Sequence, residues 1–118
     1  MDILFLLKPN FKDQARDSQG KLYYCPDCAF LEGVLSYYPQ LRNQLDIRYV
    51  DYPHPRAQIV ELVGDLHRGC PCLITQANSQ TSEATEGFYS HGEYLYTNNT
   101  RLLVEYLSKQ YDLPIAHY

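Results

Sequence analysis

The chain has 118 residues, a formal net charge of −4 and an ordinary globular composition, 45% hydrophobic and 20% charged. That length suits one domain over residues 1–118 with a real core. The acidic balance argues against a nucleic-acid binder, which relies on phosphate contacts. No stretch approaches the length of a membrane span, and the apolar run Ile3–Leu7 is too short for a signal-peptide core.

The run 2–7, DILFLL, reads as a buried strand ended by Lys8-Pro9. Residues 8–24 are polar and read as a long loop, either functional or a solvated insertion. In it, Asp13 and Asp17 read as a solvated face. Tyr23 and Tyr24 either wall a groove or pack the loop onto the next helix. That helix starts at Pro26, since proline suits a first turn, and Phe30, Leu31, Val34, Leu35 and Tyr38 recur at helical spacing before Pro39.

Residues 45–52, LDIRYVDY, read as a second strand, and a helix over Arg56–His67 follows the turn PHPR, with its stop near Gly69. Residues 70–75, CPCLIT, read as a third strand. Residues 76–87 read as a loose surface loop, and 88–97 as a hairpin turning at His91-Gly92. Asn98 or Asn99 caps a last helix over 100–110, and Pro114 ends regular structure. The order predicts an α/β fold with a mixed sheet: an early parallel pair, late antiparallel strands and helices on both faces.

The chemistry lies in the cysteines. Cys25-Pro26-Asp27-Cys28 stands at a strand-to-helix junction, where two sulfurs meet across one turn. Free N–H groups at a helix start favour a thiolate, which attacks disulfides, and a second thiol resolves the mixed disulfide. Cys25 is thus the candidate nucleophile and Cys28 the resolver, with the Asp27 charge opposing a thiolate. Half-zinc sites share this spacing.

CPDC opening the first helix, GCPCLIT at 69–75 and GEYLYTNNTRLLVEYL at 92–107 resemble the thioredoxin-like superfamily in its short glutaredoxin-like form. The last stretch looks like the end of a glutathione transferase N-terminal domain, and the whole chain resembles an uncharacterised bacterial thioredoxin-like family with no assigned activity. The resemblance implies a thioredoxin-like fold with Pro71 as a cis-proline facing the cysteine motif. It also implies that the backbone of Cys70 pairs with an extended thiol peptide, and that Asn99 and Thr100 receive the carboxylate end of glutathione. The chain departs from that pattern in its 8–24 and 76–87 insertions, in Asn-Thr where transferases have an acidic residue or glutamine before serine, and in the missing all-helical second domain.

Cysteines on both sides of Pro71 are a further departure. Either Cys70 is an extra redox or substrate-contact thiol and Cys72 a core residue, or the cysteines bind zinc or an iron–sulfur cluster, with His67 as a substitute ligand. Three functions follow. The first is a cytoplasmic thiol–disulfide oxidoreductase, acting on a disulfide-bearing protein or glutathione and without a resident cofactor. The second is a metal module using Cys25, Cys28, Cys70 and Cys72. The third is a non-catalytic binding domain. Neither nucleic acid nor membrane is an expected partner, and the oligomeric state is not legible.

Overall fold

A computed structural model of the chain describes residues 1–79 and 83–118. Strand β1 (Asp2–Leu7) is the second strand of a five-stranded sheet and is hydrogen-bonded on both edges. It pairs in parallel with β4 (Leu45–Val50) and antiparallel with β5 (Cys72–Gln76). Its unbroken apolar run follows from that position, because both of its faces are covered. Leu4 and Leu6 point into one core cluster and Phe5 into the other, and all three are fully buried.

Beyond β5 the sheet continues with β7 (Tyr94–Thr97) and ends on the short edge strand β6 (Tyr89–His91). Both of these junctions are antiparallel, and Gly92 in the β6–β7 turn has a positive φ of 58°. The expected mixed sheet and late hairpin are therefore observed. The small strands β2 (Phe11–Lys12) and β3 (Leu22–Tyr23) form a separate antiparallel pair.

Helices α1 (Pro26–Tyr37) and α4 (Thr100–Tyr111) cover one face of the sheet. Leu31, Leu35, Leu103 and Leu107 meet Leu4, Leu6 and Leu73 there. Helix α3 (Ala57–Val63) covers the other face, where Ile59 and Val63 meet Phe5, Cys72, Ile74 and Tyr96. A one-turn helix, α2 (Leu41–Gln44), buries Leu41 just before β4. Among the described residues, no helix is long and apolar enough to cross a membrane.

Four expectations are corrected. The 8–24 segment is not simply a loop: Phe11 pairs with Tyr23, and its ring stacks on Tyr52 at 4.3 Å between centroids. Within that segment Asp17 accepts the amides of Gln19 and Lys21 at 3.2 and 2.8 Å, so its carboxylate organises the turn. Helix α3 ends at Gly64, whose φ of 79° stops it a turn early and leaves Leu66 85% exposed. Strand β5 begins at Cys72, so Cys70 and Pro71 lie ahead of it. Of the 76–87 stretch, 77–79 form a 3₁₀ turn and Ala84 packs into the α1/α4 core, while 80–82 lie outside the described residues.

Candidate functional site: a thiol cluster at the start of the first helix

Cys25 is the N-cap of α1, with extended backbone (φ −80°, ψ 116°) and Pro26 behind it in the first turn. Its sulfur accepts the Cys28 amide at 3.1 Å, taking the part a serine or aspartate oxygen usually plays at a cap. Cys25 is half-buried, whereas Cys28, one turn further on, is buried against the end of β1. The Leu7 amide points at the Cys28 sulfur from 3.5 Å.

These surroundings push the Cys28 thiol far above its ordinary value. Burial is the largest cause, the hydrogen bond with Cys25 adds to it, and the Cys25 and Cys70 sulfurs oppose a second charge. The Leu7 amide works in the other direction and outweighs the charge of either sulfur. Cys25 is the half-buried, more accessible partner of the pair, and Cys28 the one held protonated beneath it.

The loop before β5 closes the site. The Cys70–Pro71 peptide bond is cis, and the Cys25 thiol lies 3.7 Å from the Cys70 carbonyl oxygen. Cys70 is half-buried, and its side chain packs against both core clusters. Burial pushes the Cys70 thiol up to about 11, with the Arg56 guanidinium pulling the other way. Three cysteines thus converge where β1, α1 and the loop before β5 meet.

Cys72 does not join them. It is fully buried on the α3 side of the sheet, paired with Phe5 across the ladder, and burial raises its thiol to about 12. The expected His67 ligand is instead stacked on Tyr89, with ring centroids 3.9 Å apart. Among the described residues, no three Cys, His, Asp or Glu side chains are arranged to hold a metal ion. The four-cysteine donor set therefore does not come together, because Cys72 shares the α3 face of β5 with Ile74 while Leu73 between them faces the α1/α4 core.

Asn99 caps α4, its side-chain oxygen accepting the Leu102 amide at 3.0 Å. Thr100 opens α4, and Asn99 and Thr100 together line, with Asp27, Phe30, Asn98 and Arg101, a cavity of about 480 Å³ between the starts of α1 and α4. Asn98 donates to the Gly69 carbonyl at 2.7 Å, tying the start of α4 to the segment just before Cys70. Of the two tyrosines ahead of the motif, Tyr23 packs against Phe11, and Tyr24 is 65% exposed.

Arg56 was missed in the sequence. It has left-handed backbone (φ 52°) just ahead of α3. Its guanidinium donates to the Tyr52 carbonyl through Nε and Nη2, at 3.0 and 2.7 Å, and to the Arg68 carbonyl through Nη1 at 2.9 Å. Held in this way, it faces the Cys70 thiol and favours its anion. Nothing in the residue pattern pairs an arginine after a proline turn with a cysteine in a later loop.

No curated protein and no solved structure matches the chain. The profile of a family described as "Protein of unknown function (DUF3088)" matches residues 1–115, and the chain belongs to that family.

Proposed function

We propose that the chain is a thiol–disulfide oxidoreductase of the cytoplasm, built on a thioredoxin-like fold, with Cys25 as nucleophile and Cys28 as resolving thiol. The observation that carries this reading is the Cys25 sulfur at the N-cap of α1, 3.1 Å from the Cys28 amide, with the Cys28 thiol buried one turn behind it. The strand order β4-β1-β5-β7, with β1 and β4 parallel and the rest antiparallel, supports the fold assignment. So does the position of the thiol pair at the start of the crossover helix.

Cys25 sulfur attacks a disulfide R–S–S–R′, forming Cys25–S–S–R and releasing R′–S⁻, which takes up a proton. Cys28 then loses its proton to solvent and attacks the Cys25 sulfur, and R–S⁻ leaves. Two electrons pass to the substrate, and a Cys25–Cys28 disulfide remains for an external thiol to reduce. The raised Cys28 thiol keeps the resolver protonated until a mixed disulfide has formed beside it. Substrates of this class are a disulfide-bearing protein or glutathione disulfide, with Pro71, the Cys70 backbone and Thr100 bordering the place where they dock.

The test is turnover of glutathione disulfide and of a protein disulfide by the full chain and by Cys25→Ser. Turnover by the wild type and its loss, by at least a hundredfold, in the variant are expected. Equal rates for the two proteins would sink the proposal.

A further inference from the structure

Resting on that reading, we propose that Cys70 is a third redox thiol, able to resolve the Cys25 mixed disulfide in place of Cys28. Three observations converge on it. The Cys25 thiol lies 3.7 Å from the Cys70 carbonyl, so the two residues touch across the site. Cys70 is half-buried where Cys28 is buried, so it is the more accessible of the two candidate resolvers. Arg56, clamped by three hydrogen bonds to the Tyr52 and Arg68 carbonyls, is a fixed cation facing Cys70, whereas the charges that act on Cys28 among the described residues are those of the Cys25 and Cys70 sulfurs.

A thiolate next to a fixed guanidinium is favoured over one buried among other sulfurs. The rate of exchange follows the thiolate fraction more steeply than the loss of intrinsic nucleophilicity that accompanies a lower thiol pKa. Cys70 therefore competes with Cys28 for the same mixed disulfide.

In the step itself the Cys70 thiol gives its proton to solvent, and its sulfur attacks the Cys25 sulfur of Cys25–S–S–R. The bond to R breaks, R–S⁻ leaves and takes up a proton, and a Cys25–Cys70 disulfide remains. Two electrons have passed from the two thiols to the substrate disulfide. Attack of Cys28 on the Cys25 sulfur then moves the disulfide to Cys25–Cys28 and frees Cys70. Alternatively, an external dithiol reduces the Cys25–Cys70 pair directly. Arg56 acts as a positioning residue through its charge on Cys70.

The experiment uses the full chain as Cys28→Ser, mixed with glutathione disulfide, quenched by alkylation and read by intact mass and peptide mapping. The expected result is a protein lighter by two hydrogens, with Cys25 and Cys70 peptides linked and little glutathione adduct. Cys28→Ser/Cys70→Ser should instead hold the adduct on Cys25. Cys28→Ala serves as a second background if the serine hydroxyl disturbs folding. Adding Arg56→Gln to Cys28→Ser should slow ring closure about tenfold at neutral pH and shift its pH dependence upward. An adduct that persists equally in the single and double variants, or a linkage to Cys72, overturns the proposal. Cys25 left unmodified in every variant overturns the oxidoreductase reading beneath it.

Discussion

Cys25 and Cys72 show how much a cysteine's neighbourhood decides. One sulfur accepts a helix-start amide at a half-exposed position, and the other is packed between Phe5 and Ile74 with no access to solvent. Cys72→Ala should leave disulfide turnover unchanged while lowering stability by about 1 kcal/mol, read from urea midpoints under reducing conditions. The same residue gives a pH dependence. Its folded thiol sits at about 12 against an ordinary 9.0, so the unfolded chain releases the proton first. Below pH 9 that difference has no effect. As pH rises from about 9 towards 12, Cys72 should cost the folded state about 1.4 kcal/mol per pH unit. Urea midpoints measured at pH 7.5, 9.5 and 10.5 should fall accordingly, and Cys72→Ala should fall less steeply, by one proton's worth.

At the level of elements, α4 and the β2–β3 pair make separate predictions. Asn99→Ala removes the cap of α4 and should cost about 1 kcal/mol by chemical denaturation. Phe11→Ala removes the ring stacked on Tyr52, the contact that pins the 8–24 segment next to the carbonyl holding Arg56. Amide exchange over 11–23 should speed up by about fivefold, in line with the roughly 1 kcal/mol that such a ring pair contributes. The helix at Pro26 was legible in the sequence because its proline, its apolar spacing and its stop at Pro39 all agree. So was the run 2–7 as a buried strand. The β2–β3 pair was not, because two-residue strands leave no periodicity to read. The end of α3 was missed because Leu62 and Leu66 continue the helical spacing past a glycine, and only the backbone at Gly64 shows that it stops. The thiol pair was visible in the sequence. The guanidinium above Cys70 was not, since it comes there through the sheet and two main-chain carbonyls.

Across the whole molecule, the first strand and the last helix are joined by one buried carboxylate. Asp2 accepts hydrogen bonds from the Tyr106 hydroxyl and, at 2.7 Å, from Tyr111, with Thr75 beside them. Burial, and then the bond to Asp2, push both phenols well above their ordinary value. Asp2→Ala leaves the fully buried Tyr106 hydroxyl only its longer hydrogen bond to Thr75 and should lower the unfolding free energy by about 1–3 kcal/mol, with the loss shared by every part of a cooperative fold. The sheet held in this way brings the end of β1, the start of α1 and the loop before β5 to one place, and the proposed chemistry depends on that meeting point. Its most direct measurement is a single turnover: reduced full chain mixed with one equivalent of glutathione disulfide, with thiols released and protein disulfides formed both counted. Two glutathione thiols released and one disulfide formed within the chain, always including Cys25, are expected. Release of no thiol, with all four cysteines still open to alkylation after denaturation, would contradict it.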